Sequence, residues 1–174
     1  MDASTTTVGY AFVDDKTVID MGFISINKEK TIRDKVQVTL DAINELCPFK
    51  DVDKIYIEDS LSGFLYGKTS QQTIIKLAKF NAVLVYCLEF GFGEVVEGVH
   101  PMTARKKLFG KSREKGKPAK EFVKEQVEKR YNTKKWIKIN TRGNFERRNI
   151  DSYDALTVAL YHLNKLDNNE LKRA

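Results

Sequence analysis

The sequence has few cysteines and no long apolar segment. Only two cysteines occur, Cys47 and Cys87, and both stand in apolar helical patterns without the spacing of a metal site. These features exclude a disulfide-stabilised scaffold and a cysteine-ligated zinc site, and they indicate buried free thiols in a reducing compartment. No apolar run is long enough to cross a membrane, and no signal-peptide pattern opens the chain. We therefore expect a soluble protein that is not secreted.

Length and composition set the size of the fold. The chain has 174 residues, of which 41% are hydrophobic, and this is enough for one core of ordinary size. No internal repeat, low-complexity tract or linker is visible. The sequence therefore predicts a single domain over residues 1–174 that folds on its own.

The charge is distributed unevenly along the chain. The formal net charge is +6, yet residues 105–148 alone contain 17 Lys and Arg against 5 Asp and Glu, a local balance of +12. The remaining residues therefore carry −6. A basic block of this kind can be a merely solvated surface, but a polyanionic partner explains it better, and we favour nucleic acid.

Hydrophobic periodicity predicts strands and helices in alternation. The predicted strands are Val8–Val13, Thr17–Ile26, Lys54–Glu58, Glu94–Val99 and Trp136–Ile139, and the predicted helices are Thr31–Leu46, Ser70–Phe90, Thr103–Phe109, Ala119–Arg130 and Asn149–His162. The first two strands are expected to form an antiparallel hairpin, and Pro48 is expected to stop the first helix. Two basic loops, residues 110–117 and 141–148, contain few apolar residues. This order predicts an α/β fold with a mixed sheet flanked by helices.

Four acids stand at the ends of these predicted elements. Asp2 precedes the first hairpin, Glu58 ends a strand, and Asp151 and Asp154 are three residues apart on the last helix. That spacing places both carboxylates on the same side of one helical turn, where they repel each other unless a cation lies between them. Taken singly, each acid has an ordinary explanation as a helix cap, a first-turn acid, a turn residue or a surface residue.

Taken together, the four acids and the basic region suit a phosphodiesterase with two Mg²⁺ ions. Magnesium takes hard oxygen ligands, so Asp and Glu are the appropriate residue types. Two such ions, roughly 3.5–4 Å apart, can activate the attacking water and stabilise the leaving 3′ oxygen.

Nearly the whole chain resembles the RuvC-type Holliday junction resolvases of the ribonuclease H-like superfamily, particularly phage or viral members. The matching pieces occur in family order, and together they are far more specific than any one alone. They are Asp2 with Val8-Gly9-Tyr10, Ile55-Tyr56-Ile57-Glu58, the aromatic loop 60–69, the long helix, Val99-His100-Pro101 with Arg105-Lys106-Lys107 and Gly110, Ala119-Lys120 before Phe122-Val123, and Asp151-Ser152-Tyr153-Asp154-Ala155-Leu156.

The resemblance implies a ribonuclease H-like nuclease that cleaves four-way DNA junctions by paired, metal-dependent hydrolysis. It implies that Asp2, Glu58, Asp151 and Asp154 hold two Mg²⁺ ions, with Mn²⁺ as an alternative, and that Lys120 acts near the scissile phosphate. A homodimer through the Ser70–Phe90 helix would give two active sites for a junction of near-two-fold symmetry. The implied location is the cytoplasm of a bacterial host cell or a viral replication site.

The candidate DNA-binding residues come from the loop after Glu58 and from the basic region. Aromatic side chains in an exposed loop can stack on bases, and Lys or Arg side chains neutralise phosphates. The predicted DNA contacts are Phe64, Tyr66, Lys68, Arg105, Lys107, Lys111 and Arg113. Core packing of the aromatic residues and ordinary surface positions for the lysines are the alternatives.

Three features depart from the family pattern. Ala3-Ser4 stands where bacterial members usually have a Pro-Gly turn, and the loop 141–148 looks longer than usual. A single residue precedes the first acid where family members have several apolar ones. We favour a clipped or redefined start over a naturally shortened first strand.

The sequence alone leaves other functions open. A ribonuclease H-like nuclease with broader branched-DNA or RNA specificity would share all four acids. A junction-binding protein that does not cleave would not need the complete set. The segment from Asp2 to Gly9 also resembles the phosphate loop of sugar-kinase or actin-like ATPases, but that fold needs two domains, which 174 residues cannot hold.

Overall fold

The computed structural model describes residues 1–15, 17–47, 52–59 and 70–170. The strands are β1 (Asp2–Ala3), β2 (Thr7–Asp14), β3 (Thr17–Ser25), β4 (Ile55–Glu58) and β5 (Val96–Val99), and the helices are α1 (Ile32–Leu46), α2 (Gln71–Phe92), α3 (Pro101–Phe109), α4 (Ala119–Glu128) and α5 (Asn149–Glu170). A short 3₁₀ helix covers Lys134–Trp136. Among the described helices, none combines the length and apolar composition that crossing a bilayer requires.

The strands form a mixed sheet. β1, β2 and β3 pair antiparallel, whereas β4 and β5 pair parallel. Met1 links the two groups, because its amine donates a hydrogen bond to the Tyr56 carbonyl at 2.6 Å and its own carbonyl accepts one from the Glu58 amide at 2.8 Å. The spatial order is therefore β3, β2, β1, β4, β5, and the chain between Met1 and Ala3 lies at the centre of the sheet.

Helices cover both faces of this sheet. On one face, Val8, Ile24 and Ile57 of the sheet pack with buried residues of α1 and α2. On the other, Met21 of β3 packs with residues of α4 and α5, including the fully buried Tyr153. Successive residues of a strand point to opposite faces, so a central strand needs apolar or small residues throughout.

Helix ends follow the capping chemistry of the sequence. The Thr31 side chain accepts a hydrogen bond from the Asp34 amide at the start of α1. Ser70 caps α2 in the same way, and Gly93 ends that helix in the left-handed conformation at φ 70°. Several helix ends differ from the prediction. α3 begins earlier, at Pro101, because the His100 side chain caps it, and α4 ends at Glu128. α2 and α5 end later than predicted, at Phe92 and Glu170.

The hairpin, the first helix, the Lys54–Glu58 strand and the last helix agree with the sequence prediction. The predicted strand over Trp136–Ile139 is wrong, because this segment forms the end of the 3₁₀ helix and one isolated bridge from Ile139 to Phe145. The physical reason is local: the Asn149 side chain accepts a hydrogen bond from the Lys138 amide and donates one to the Lys138 carbonyl. The Lys138 amide is consequently not available to a neighbouring strand, and the Lys138 carbonyl is shared with the Glu146 amide, which donates to it at 3.1 Å. Pro48, predicted to stop α1, lies outside the described residues.

A cavity of about 630 Å³ lies beside Met1, between the later part of β2 and the start of β4. Its walls include Ala11 and Val13 of β2, Ile55 of β4 and Leu88 of α2. β1 pairs only with Val8 and Gly9 of β2. In the described part of the chain, the later half of β2 is therefore paired on its β3 side alone.

Candidate active site

Three acids from three separate elements meet at the centre of the sheet. Asp2 belongs to β1, Glu58 ends the neighbouring β4, and Asp154 lies in the second turn of α5. Each offers a carboxylate oxygen, and these three oxygens lie within 4.8 Å of one another. Asp2 and Asp154 are 8% and 2% exposed, which is unusual for acids that do not bind a cation.

The backbone of the sheet and α5 explains this convergence. The hydrogen bonds of Met1 place β1 directly beside the end of β4, so Asp2 and Glu58 are neighbours across the strands. α5 packs closely on β2, because a Cβ at Gly9 would lie 2.1 Å from the Asp151 carbonyl oxygen. Only glycine allows that approach. In the sequence, Gly9 stands out only as part of a family motif, and no local pattern indicates this contact.

The fourth predicted acid, Asp151, lies beside the cluster and outside the close group of three. Its side chain is 17% exposed, and its Oδ1 accepts a hydrogen bond from the Lys120 ammonium at 2.6 Å. The same ammonium is 3.7 Å from Asp154 Oδ2 and 3.9 Å from Asp2 Oδ2. Lys120 therefore connects Asp151 to the buried acids.

Lys120 reaches this position from the first turn of α4. Half of its side-chain surface is exposed, although its ammonium lies among carboxylates. Burial alone would lower the pKa of this ammonium, but the carboxylates of Asp2, Asp154 and Asp151 outweigh burial and raise the pKa above its usual value. Lys120 is consequently charged at every pH at which the protein would work.

Arg105 forms the second positive contact of the cluster. Its guanidinium Nη2 donates a hydrogen bond to Asp154 Oδ1 at 2.8 Å, and its side chain is only 10% exposed. Arg105 therefore points into the protein, whereas the sequence predicts that it contacts DNA. The phase of α3 turns Arg105 inward, whereas Lys106 and Lys107 of the same helix are exposed.

Burial and mutual repulsion raise the pKa values of two acids in the cluster. Burial, followed by the negative charge of Asp154, raises the pKa of Asp2 to about 7, although Lys120 acts in the opposite direction. Burial and the charges of Asp2 and Asp154 raise the pKa of Glu58 to about 9, against the opposing effect of Arg105. Burial lowers the pKa of the Met1 amine to about 6. Without a further cation, the cluster therefore retains protons near neutral pH.

This donor set suits a divalent metal ion. When fully ionised, the four carboxylates carry four negative charges, and Arg105 and Lys120 neutralise two of them. A divalent cation would neutralise the other two. All of the candidate ligand atoms are hard carboxylate oxygens, which is the ligand type that Mg²⁺ and Mn²⁺ prefer. Asp2, Glu58 and Asp154 could hold such an ion directly.

The predicted DNA-binding residues divide into three groups. Lys107, Lys111 and Arg113 are on α3 and the loop after it, and Lys111 lies 3.4 Å from Glu114 in a surface ion pair. Arg105 is buried behind the acids. The remaining three, Phe64, Tyr66 and Lys68, lie outside the described residues.

The fold resembles solved structures, although no related sequence was found. No family model matches the chain. No curated protein matches it either. Among solved structures, Thermus thermophilus RuvC in complex with a Holliday junction substrate matches with a TM-score of 0.61 and 14% identity, over 92% of this chain and 88% of that one. A second Thermus thermophilus RuvC structure matches with a TM-score of 0.55 and 18% identity, over 92% and 89%. The chain therefore has an α/β fold of the RuvC, ribonuclease H-like type, as the sequence predicted.

Proposed function

We propose that this protein is a metal-dependent endodeoxyribonuclease that resolves four-way DNA junctions by paired hydrolysis of phosphodiester bonds. The observation that carries the proposal is the meeting of Asp2, Glu58 and Asp154 within 4.8 Å at the centre of a RuvC-like sheet. The fold alone does not specify a reaction, so the proposal depends on these side chains.

Each residue of the cluster has a proposed role. Asp2, Glu58 and Asp154 hold the divalent ion, and Asp151 completes the site from the preceding turn of α5. When bound, Mg²⁺ would supply an activated water nucleophile and charge stabilisation at the leaving oxygen, and Mn²⁺ could replace it. Arg105 holds Asp154 from behind, whereas Lys120, on the exposed side, is placed to meet a phosphate.

The basic residues around α3 provide affinity for DNA. Lys107, Lys111 and Arg113 lie on or next to α3, whose inward side contacts Asp154 through Arg105. DNA phosphates held there would therefore lie near the acids. Phe64, Tyr66 and Lys68 remain proposed contacts, and replacement of Phe64 by Ala should impair cleavage of a fully paired junction more than cleavage of one with unpaired bases at its centre.

We further propose a homodimer through α2. Ile75, Val83, Tyr86 and Phe90 are exposed apolar residues of this helix, and helical spacing places them within a stripe about 80° wide. Phe90 is 83% exposed and its ring stacks on Tyr86 with a centroid separation of 6.4 Å. A two-fold axis at this stripe would present two acid clusters to two strands of a junction.

A nuclease with broader specificity for branched DNA or RNA is the principal alternative. A junction-binding protein without cleavage is disfavoured, because the complete acid cluster would then have no role. Either enzyme would act where branched DNA forms, in the cytoplasm of a bacterial host or at a viral replication site.

One experiment distinguishes these functions. The protein and its Asp154→Asn variant are incubated with a labelled four-way junction, a flap, plain duplex and an RNA–DNA hybrid, each with Mg²⁺ or with a chelator. We expect paired nicks in the junction only with the native protein and Mg²⁺, and junction binding by both proteins. Equal cleavage of all substrates would favour the broader nuclease, and nicking by Asp154→Asn would contradict the proposed metal site.

A further inference from the structure

The acid cluster has two positive partners of different character. Arg105 is 10% exposed at its side chain and contacts Asp154 from the interior. Lys120 is 52% exposed, and its ammonium lies 2.6 Å from Asp151, 3.7 Å from Asp154 and 3.9 Å from Asp2. A planar guanidinium held by packing stays in place, whereas a lysine ammonium on a flexible four-carbon stem can move. The cluster therefore combines one fixed and one movable cation.

The ammonium of Lys120 and a divalent ion would compete for the same carboxylates. Lys120 is within 4.0 Å of three of the four acids, and two of those, Asp2 and Asp154, also belong to the group whose oxygens converge within 4.8 Å. Two cations this close repel strongly in a partly buried site, where the effective dielectric constant is far below that of water. Occupancy by one therefore weakens occupancy by the other.

We propose that Lys120 is a displaceable counter-ion, which holds the metal-free acids together and is expelled from them when a divalent cation binds. This inference rests on the proposed metal site and adds an order of events to it. Expulsion moves the ammonium towards the exposed side of the cluster, because Arg105 and the core close the other side. The Lys120 ammonium would then be available to pair with a DNA phosphate only at a site that already holds metal.

The test compares metal affinity in variants of two lysines on α4. Lys120→Met removes the charge and keeps much of the apolar stem. Lys124→Met is the matched control, since Lys124 is one turn further along α4 and pairs instead with Glu128 at 4.0 Å. Lys120→Arg keeps the charge. Mg²⁺ binding is measured by titration calorimetry, with every variant in the same buffer at pH 9.

We expect Lys120→Met to bind Mg²⁺ about tenfold more tightly than the native protein, the lower end of what one nearby opposite charge contributes to a carboxylate equilibrium. Lys124→Met and Lys120→Arg should stay near the native value. The melting temperature provides a second readout. In chelator, Lys120→Met should melt at a lower temperature than the native protein, because the acids lose a counter-ion. Addition of Mg²⁺ should raise the melting temperature of Lys120→Met by more than it raises that of the native protein.

The outcomes separate this inference from the proposed function. If the native protein binds Mg²⁺ and Lys120→Met binds it equally or less tightly, Lys120 is not displaced and the inference fails, while the metal site stands. If neither protein binds Mg²⁺, the proposed metal site fails and the inference fails with it. If Lys120→Met binds Mg²⁺ more tightly than the native protein and the two other variants do not, the result supports both the metal site and the displacement of Lys120.

Discussion

Arg105 and Asp154 form a buried ion pair, with Arg105 Nη2 2.8 Å from Asp154 Oδ1 and side chains 10% and 2% exposed. The pair occupies one oxygen of Asp154 and leaves Oδ2 on the side of Lys120, at 3.7 Å. Arg105 thus orients the Asp154 carboxylate, with one oxygen towards the guanidinium and the other towards the Lys120 ammonium. It acts on the site by positioning an acid.

Replacing Arg105 by Met should lower the free energy of unfolding by about 3 kcal/mol, because Asp154 would lose its close partner while still buried. Urea denaturation of Arg105→Met measures this loss. Lys106→Met, at the exposed neighbouring position of α3, is the control and should change stability little. If Arg105→Met keeps native stability but loses junction affinity, Arg105 is a DNA contact and the positioning role is wrong.

Replacing Gly9 by Ala should separate α5 from the sheet. The added methyl would lie 2.1 Å from the Asp151 carbonyl oxygen and 2.9 Å from the Ser152 amide nitrogen, both of them backbone atoms. Overpacking of this kind costs about 1–3 kcal/mol of stability, occasionally more, and it would displace Asp151 and Asp154.

Gly98→Ala provides the control for that change, since its nearest neighbour would be the Asp59 Cβ at an ordinary 3.7 Å. Thermal unfolding and the junction cleavage rate should both decline for Gly9→Ala and stay near native for Gly98→Ala. Equal behaviour of the two variants would show that α5 can shift without consequence.

The sequence predicts much of the fold and the positions of the acids at the ends of strands and helices, because these features depend on local patterns. Period-2 and period-3.6 apolar spacing marks the hairpin and the helices, and the position of Glu58 at a strand end follows from the same pattern. The inward direction of Arg105 does not follow, since Arg105, Lys106 and Lys107 are alike in sequence and only the packing of α3 distinguishes them. The contact of Gly9 with α5 is likewise tertiary and has no local signal.

Lys107→Ala should weaken junction binding without changing cleavage of the bound junction. Lys107 is exposed on α3, and removing one phosphate interaction lowers the slope of log affinity against log salt by about one unit. Lys28→Ala, at an exposed lysine outside the basic region, should leave that slope unchanged. Binding titrations of a junction at several salt concentrations measure both, and identical slopes for the two variants would remove Lys107 from the proposed DNA surface.

Phe90→Lys should convert a dimer into monomers. The substitution places a charge at the most exposed position of the α2 stripe, where a partner helix would have to bury it, at a cost of about 2 kcal/mol or more. Sedimentation of native protein, Phe90→Lys and Ile19→Lys gives the answer, because Ile19 is an equally apolar exposed residue, 55% exposed, that lies on β3 and does not belong to the stripe. A native monomer, or a dimer that survives Phe90→Lys, would contradict assembly through α2.

Mg²⁺ affinity should rise as pH increases from 6 to 9. The pKa values of Asp2 and Glu58 are raised to about 7 and about 9, so these carboxyls hold protons that metal binding must release. Between those two values one proton leaves for each ion bound, and the dissociation constant should fall about tenfold per pH unit.

The same shifts determine how stability depends on pH when no metal is present. A carboxyl whose pKa is higher in the folded than in the unfolded state binds more protons when folded, so the contribution of Asp2 and Glu58 to stability is present at low pH and is lost as pH rises towards 9. The Met1 amine, with its pKa lowered to about 6, acts in the opposite direction between pH 6 and 8.

Glu58→Gln isolates the effect of one carboxyl. The native protein in chelator should lose stability relative to Glu58→Gln as pH rises to 9, and Mg²⁺ should reverse that loss. Calorimetric titration and thermal unfolding at pH 6, 7, 8 and 9 measure both effects, and a dissociation constant that does not vary over this range would show that the cluster is already ionised before metal binds.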